Sequence, residues 1–205
     1  VYERDGQVVA FAQGALGQME KNRSVGYVRL MVVDRAWRRQ GIGGELLREL
    51  EQQLKARGAQ TVQIFDCPHN YFMPGVDFRY TEAYCFLLKH GYEVFRENHN
   101  LLCELDVNAW PDLDDQARSM MQHGIEVRRA RPEDQASIDA FLEEHWPAWK
   151  FEVHNALAND PVTLYIGLMD GKTVAFSGYQ GNNKSLSWFG PMGTSPDLRG
   201  KGIGG

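Results

Sequence analysis

The chain repeats part of its own sequence, and this repetition limits the architectures that it can adopt. Residues 5–11 (DGQVVAF) return as residues 170–176 (DGKTVAF), and residues 31–44 (MVVDRAWRRQGIGG) return as residues 192–205 (MGTSPDLRGKGIGG). The two segments recur in the same order with nearly the same spacing, and the difference of four residues falls between them, where a hairpin loop tolerates a change of length. We therefore predict two copies of one domain.

The repeat also predicts where the copies begin and end. The first copy covers residues 1–107, a polar and acidic linker covers 108–124, and the second copy covers 125–205. Residues 125–160 contain a strand and a helix with no counterpart before Asp5, so the first copy is expected to lack its N-terminal strand and helix. The second copy stops at its glycine loop and is expected to be an N-terminal half.

Composition excludes several classes of protein. The 205 residues are 43% hydrophobic and 24% charged with a net charge of −5, which is typical of a folded domain without a basic surface for nucleic acid. No apolar run is long enough to span a membrane, and no signal peptide is visible. Three separated cysteines, Cys67, Cys85 and Cys103, argue against a disulfide scaffold or a zinc site. We expect a cytoplasmic protein without metal, nucleic acid or membrane partners.

Hydrophobic periodicity in the first copy alternates between strand and helix patterns, which predicts an α/β fold with a mixed sheet. Glycines follow both helical patterns, as helix stop signals do. The predicted strands are residues 7–16, 25–33, 61–65, 92–98 and 101–107, and the predicted helices are residues 45–57 and 81–89.

A basic, glycine-rich turn at residues 38–44 (RRQGIGG) joins a predicted buried strand to a leucine-striped helix. Glycine lets the backbone approach an anion, the first amides of the helix point at it, and an arginine fork matches phosphate oxygens. The turn predicts a phosphate or pyrophosphate site; the alternative is a plain glycine turn with solvated arginines. Because the second copy repeats Arg199, Gly202 and Gly204 in register, we favour the binding site.

Neither common nucleotide motif fits this turn. A P-loop needs Lys and then Ser or Thr after its last glycine, and a dinucleotide fingerprint needs a third glycine in register. Arg38-x-x-Gly41-x-Gly43 instead resembles the acetyl-CoA loop of the GNAT N-acetyltransferase superfamily. Ala83, Phe86 and Gly91-Tyr92 are similar to the family's second motif, and the second copy repeats the loop as Arg199-x-x-Gly202-x-Gly204.

The resemblance implies two tandem GNAT-like domains, each a mixed sheet with a splayed pair of parallel strands and flanking helices. It implies direct transfer of the acetyl group of acetyl-CoA to a primary amine of a small molecule, without a metal, by a monomer or homodimer. The strand before the loop would hold pantetheine, and the loop would hold the pyrophosphate. The implied cofactor-binding residues are Met31, Val32, Val33, Arg38, Arg39, Gln40, Gly41, Ile42, Gly43 and Gly44, and in the second copy Arg199, Gly200, Lys201, Gly202, Ile203 and Gly204.

The sequence departs from the family where the catalytic acid is expected. Family members often place a tyrosine four residues after the alanine that Ala83 matches, and that position holds Leu87. Tyr84 lies one helical turn earlier and is our candidate acid. The alternatives are a structural role for Tyr84 with solvent as the acid, or a first copy that is catalytically impaired.

The candidate base lies in a long loop at residues 66–77, at the carboxyl end of a strand beside the implied thioester. Asp66 is the predicted base or ammonium anchor, with His69 and Asp77 as further candidates. The alternative is a loop that packs onto the sheet through its aromatic residues. Two rival functions stay open: a CoA-binding module without chemistry, and a scaffold that binds nothing.

Two aromatic segments of the second copy allow other interpretations. Residues 145–149 (HWPAW) would either stack on a ligand or pack between the two copies. Residues 188–191 (WFGP) are interpreted as core of the second copy.

Overall fold

The chain forms two compact units, Val1–Leu101 and Leu102–Gly205. The computed structural model describes residues 1–19, 23–67, 73–106 and 113–204. Each unit combines a four-stranded sheet with helices, which confirms the predicted α/β class. The finer boundaries, with a linker at residues 108–124, stay a prediction.

Unit 1 is built on a mixed sheet of four strands in the order β1-β2-β3-β4. Strands β1, β2 and β3 are antiparallel, and β4 runs parallel to β3. The elements are β1 (Tyr2–Arg4), β2 (Gln7–Met19), β3 (Arg23–Val33), helix α1 (Ile42–Ala56), β4 (Thr61–Ile64) and helix α2 (Thr81–Lys89).

Helix α1 supplies much of the core of unit 1. Its apolar stripe buries Ile42, Leu46, Leu47 and Leu54, because these positions share one face at helical spacing. Leu47 is fully buried. The predicted helix began at residue 45, but the structure extends it three residues toward the N-terminus, so the glycine loop itself forms the first turn.

Strands β3 and β4 separate at a β-bulge. Leu30 pairs with Gln13 and Val28 pairs with the next residue, Gly14, so Arg29 is the extra residue of β3. A bulge bends its strand and increases the local twist. Parallel pairing with β4 ends at Val28, directly before the bulge. The predicted splay of two parallel strands is therefore present in unit 1.

The prediction of two further strands at residues 92–98 and 101–107 is wrong over the described residues. Residues 92–106 contain no strand, and apolar side chains such as Phe95 and Leu101 are 68% and 94% exposed. Alternating hydrophobicity forms a strand only when the segment pairs with a neighbouring edge. Among the described residues β4 pairs only with β3, so residues 92–106 add no strand to the other edge of β4.

Unit 2 contains a second four-stranded sheet, in the order β5-β6-β7-β8. Its strands are all antiparallel, so the expected mixed sheet is not formed by the described residues, which stop at Gly204 inside the second glycine loop. The elements are α3 (Leu113–Gln122), β5 (Ile125–Arg129), α4 (Gln135–His145), α5 (Lys150–Leu157), β6 (Leu164–Met169), β7 (Lys172–Tyr179) and β8 (Phe189–Thr194).

The aromatic residues of unit 2 divide between its core and its surface. Trp146 stacks on Trp149 at 5.6 Å between ring centroids, and both pack against the core of this unit beside Phe176. This packing accounts for residues 145–149 without a ligand. The core interpretation of residues 188–191 is wrong for Trp188 and Phe189, which are 38% and 64% exposed, whereas Pro191 is buried.

The internal repeat is visible as repeated backbone geometry. The hairpin turns Asp5-Gly6 and Asp170-Gly171 have positive φ at both residues in each copy, as a tight type I′ hairpin turn requires. Downstream, the Asp34 amide donates to the carbonyl of Val9 in β2 at 2.8 Å. The Ser195 amide of unit 2 makes the equivalent bond to β7, also at 2.8 Å.

Candidate functional site

The glycine loop of unit 1 is shaped by two residues with left-handed backbone. After β3 a single 3₁₀ turn (Arg35–Trp37) is capped by the Asp34 carboxylate, which accepts from the Ala36 amide at 2.9 Å. Arg39 (φ 65°) and Gly41 (φ 88°) then reverse the chain into α1. Glycine adopts this conformation without strain, whereas Arg39 does so at a cost of roughly 1 kcal/mol.

The first turn of α1 presents amides that the helix does not use. Gly41 is the N-cap and offers no side chain to them, and the first helical bond runs from the Glu45 amide to the Gly41 carbonyl. The amides of Ile42, Gly43 and Gly44 therefore lie outside the helical ladder. A side chain on Gly41 would meet nothing within 4 Å, so the space beside the loop is open. An open cradle of amides at a helix N-terminus fits a phosphate group.

Gly43 and Gly44 have a second role, because helix α2 packs directly against them. A Cβ on Gly43 would lie 3.4 Å from the Phe86 ring, and a Cβ on Gly44 would lie 3.0 Å from Nε2 of His90. His90 Nδ1 contacts the Phe86 carbonyl at 2.8 Å, which holds the imidazole beside the loop. Sequence reasoning assigned these glycines to ligand binding alone.

Arg38 ties the loop to the end of β3. Its Nε donates to the Val33 carbonyl at 3.0 Å, and its Nη1 lies 3.8 Å from the Glu82 carboxylate on α2. Arg39 is exposed, and Gln40 donates back to the 3₁₀ turn at 3.4 Å. Two arginines, Arg38 and Arg39, thus precede the free amides in the loop.

The end of β3 has an open edge next to this loop. Val33 pairs with Ala10 of β2, and the Asp34 amide donates to the carbonyl of Val9, the residue before Ala10. Val33 and Ala10 therefore form a non-hydrogen-bonded pair, in which the amide and carbonyl of Val33 point away from β2. The backbone amide and carbonyl of Met31, two residues earlier, also point away from β2, whereas those of Val32 face β2. Both outward residues lie beyond the end of the β4 pairing.

The loop of unit 2 has the same local geometry. The Arg199 Nε lies 3.4 Å from the Thr194 carbonyl, as Arg38 lies beside Val33, and a 3₁₀ turn (Pro196–Leu198) precedes it. Gly200 (φ 77°) and Gly202 (φ 78°) are left-handed at the positions that match Arg39 and Gly41. Lys201 is exposed, Ile203 lies 3.7 Å from the Cβ position of Gly167, and Gly204 is the last described residue.

Asp66 lies at the carboxyl end of β4, directly after the last bond to β3. Phe65 and Asp66 both have left-handed backbone, with φ of 59° and 52°. The carboxylate is 21% exposed and forms an ion pair with Arg96, and Gln63 donates to the same oxygen at 3.3 Å. Burial raises the pKa of Asp66 above its usual value, although Arg96 and Gln63 act in the opposite direction.

Two buried groups, Tyr27 and Cys67, lie beside Asp66. Burial raises the pKa of the Cys67 thiol, with Arg29 acting in the opposite direction, and the charge of Asp66 raises it further. Burial also raises the pKa of the Tyr27 hydroxyl, and Cys67 and Asp66 add to the effect. Sequence reasoning missed Tyr27, Arg29 and Arg96, which reach Asp66 or its neighbour Cys67 only through the tertiary fold.

The other predicted catalytic residues lie elsewhere or outside the described residues. Asp77 is held by Arg79, whose Nε and Nη2 lie 3.0 Å and 2.7 Å from its two oxygens. These bonds lower the pKa of Asp77 to about 2, which makes it a poor base. Tyr84 is 42% exposed on α2, and Leu87 is half-buried. His69 lies outside the described residues.

A cavity of about 370 Å³ lies at the end of α2, lined by Glu51, Val62, His90, Gly91, Tyr92 and Glu93. The Tyr92 hydroxyl donates to Glu51 at 2.7 Å, and burial raises its pKa. None of the predicted site residues lines this cavity.

No helix in the described part of the chain is long and apolar enough to cross a membrane. Residues 1–19, 23–67, 73–106 and 113–204 contain no cluster of three or more His, Cys, Asp or Glu side chains suited to a metal ion. The predicted cytoplasmic location stays a prediction.

Comparisons with known proteins agree with this geometry. The sequence profile of the Acetyltransferase (GNAT) family matches residues 1–72. No curated protein sequence matches the chain significantly. A solved structure described as a GCN5-related glucosamine N-acetyltransferase region of a fungal multi-domain GH3 β-N-acetylglucosaminidase is similar over 97% of this chain, with a TM-score of 0.75 and 21% identity.

The chain spans only 26% of that fungal protein, and the likeness shows the fold. An aminoglycoside acetyltransferase from an uncultured soil metagenomic sample matches 50% of this chain and 62% of its own, at 20% identity and a TM-score of 0.39. A Trypanosoma brucei acetyltransferase matches 48% of this chain and 61% of its own, at 21% identity and a TM-score of 0.36. The match to the Acetyltransferase (GNAT) family covers residues 1–72, which lie in unit 1 and include its glycine loop.

Proposed function

We propose that the chain is part of an N-acetyltransferase that moves the acetyl group of acetyl-CoA directly to a primary amine of a small molecule. The observation that carries the proposal is the cradle of free amides at Ile42, Gly43 and Gly44, flanked by Arg38 and Arg39 and open beside Gly41. Such a cradle favours a diphosphate through amide hydrogen bonds and the positive end of the helix dipole.

The donor side of the proposed site runs from this cradle along the open edge of β3. The outward amide of Val33 and the outward backbone of Met31 are suited to hydrogen bonds with the amide groups of pantetheine. Arg38 would have a double role, because the guanidinium that would bind the diphosphate also donates to the Val33 carbonyl. When bound, acetyl-CoA supplies an activated thioester at the point where β3 and β4 separate.

The acceptor side is proposed to depend on Asp66. Its position at the end of β4 is next to that separation, and a carboxylate with a raised pKa is better matched to proton abstraction near neutral pH than an ordinary aspartate. Asp66 would take the proton that the amine loses as the carbon–nitrogen bond forms. The carbon–sulfur bond breaks, and the departing thiolate takes a proton from water.

We extend the proposal to unit 2 as a second, tandem GNAT-like copy. Its loop repeats the arginine–carbonyl contact and both left-handed positions of the first loop. The amine itself is proposed only as a class. The printed name of the similar fungal structure refers to glucosamine, an amino sugar, and an amino sugar is therefore our first choice.

Calorimetric titration and an activity assay test the proposal together. Acetyl-CoA is expected to bind with a measurable heat, and free CoA thiol is expected to appear when glucosamine or an aminoglycoside is added. A flat titration with folded protein would contradict the assignment of the loop. Binding without thiol release across a broad amine panel would support the rival, a CoA-binding module without chemistry.

One observation favours that rival: the position of the family's catalytic tyrosine holds the half-buried Leu87.

We expect water rather than Tyr84 to protonate the thiolate, because no described contact joins the exposed Tyr84 side chain to the loop or to Asp66. Tyr84→Phe should therefore keep most of kcat. A loss of about a hundredfold, the size of a missing general acid, would restore Tyr84 to that role.

A further inference from the structure

The backbone holds the partly buried Asp66 carboxylate in an unusual conformation. Left-handed backbone at a residue other than glycine costs about 1 kcal/mol or more, and here two such residues, Phe65 and Asp66, follow each other. The Asp66 amide donates to the Met73 carbonyl at 3.1 Å, which fixes the chain after the turn. The fold therefore maintains this carboxylate at the point where β3 and β4 separate.

The two oxygens of Asp66 have different surroundings. Arg96 and Gln63 both donate to Oδ2. No described residue donates to Oδ1. Oδ2 is thus fixed by a cation and an amide, and Oδ1 is the oxygen that we assign to the incoming proton.

Arg96 reaches Asp66 from a segment that has no strand or helix, but this segment is anchored. The Asn98 side chain donates to the Pro74 carbonyl at 3.2 Å, which ties the segment to the chain that follows Asp66. The Arg96 guanidinium also lies 5.8 Å from the centre of the Phe95 ring. The side chain is 51% exposed, so its charge can be removed without leaving a cavity in a core.

We propose that Arg96 is the positioning residue of the catalytic base: it fixes Oδ2 of Asp66 and keeps the carboxylate ionised, so that Oδ1 accepts the proton of the acceptor amine. This inference rests on the proposed function. The other groups around the site are Tyr27 and Arg29 on β3, Gln63 on β4, and Cys67. Of these, Tyr27 and Cys67 are neutral at pH 7, because the pKa of each is raised. An ion pair favours the charged form of a carboxylate, which burial opposes.

The test compares pH profiles of kcat/KM for the unaltered chain, Arg96→Gln and Arg96→Lys with one amine. Without the guanidinium, Asp66 binds its proton more tightly and is ionised only at higher pH. Arg96→Gln is therefore expected to lose about tenfold in kcat/KM at pH 5.5 and little above pH 8. Arg96→Lys should restore much of the loss, because Lys keeps the charge. A uniform loss at every pH, or no loss, would overturn the proposal.

Carboxyl NMR of the full chain provides a readout that needs no turnover. The titration midpoint of Asp66 is expected to rise in Arg96→Gln and to stay close to that of the unaltered chain in Arg96→Lys. An unchanged midpoint in Arg96→Gln overturns the positioning role even if the chain is inactive. A raised midpoint in a chain that transfers no acetyl group places the failure in the proposed function instead.

Arg79→Gln is the matched control, because Arg79 forms the same kind of exposed ion pair with Asp77 in the same unit. Its pH profile should match that of the unaltered chain. A shifted acid limb in Arg79→Gln would identify Asp77 as the base and would overturn the role of Arg96.

Discussion

Replacing Asp66 by Asn is expected to lower kcat for acetyl transfer by about a hundredfold or more, the usual size of a lost general base. Asn keeps the shape of the side chain and tolerates left-handed backbone, so φ of 52° stays accessible. It cannot take a proton from the amine. The affinity for acetyl-CoA should not change, because the loop and the edge of β3 are untouched.

Two measurements decide this prediction: steady-state release of CoA thiol with a saturating amine, and calorimetric titration of acetyl-CoA. Asp77→Asn is the control, since it removes a carboxylate from the same loop whose oxygens are both held by Arg79. Equal rates for Asp66→Asn and the unaltered chain would exclude Asp66 as the base. An equal loss in both variants would indicate general disturbance of residues 66–77.

Features of the fold and of the site that depend on local chemistry are predictable from the sequence. The Asp-Gly turns in both copies have the positive φ that such dipeptides favour in tight hairpins. The loop residues repeat in register in the sequence, and Arg38 and Arg199 lie beside equivalent carbonyls. Both results follow from short-range rules, because a turn is specified by the residues within it.

Features that depend on distant partners were not predictable. The bulge at Arg29 is a property of the pairing between β2 and β3, and no residue type marks it. The ion pair between Asp66 and Arg96 joins positions 30 residues apart, through a segment that alternation predicted to be a strand. That segment forms no strand, and the ion pair is one of the contacts that hold it in place.

Arg39 shows how the loop balances strain against binding. The matching position in unit 2 is Gly200, and both residues have the same left-handed backbone. Glycine would relieve the strain in unit 1, yet an exposed arginine stands there, three residues before the first free amide. A strained residue that keeps a charged side chain next to an open anion cradle supports a binding role.

The double change Arg38→Ala and Arg39→Ala is therefore expected to weaken the binding of acetyl-CoA by about a hundredfold. Each lost charge-assisted hydrogen bond to a phosphate contributes about 1.5 kcal/mol at an exposed site, and about 3 kcal/mol corresponds to a hundredfold in Kd. Pantetheine, which lacks the diphosphate, should bind the unaltered and doubly changed chains alike. The loss should shrink at high salt, because exposed charges are screened.

Arg35→Ala with Arg48→Ala is the matched control, since it removes the same charge from exposed positions on either side of the loop. It should keep most of the affinity. Because Arg38 also binds the Val33 carbonyl, denaturant unfolding must accompany the titrations. Equal weakening in the two double variants would mean that net charge, rather than the loop, attracts the ligand. An unchanged Kd after both loop arginines are replaced would contradict the assignment of the loop as the site of the acetyl-CoA diphosphate.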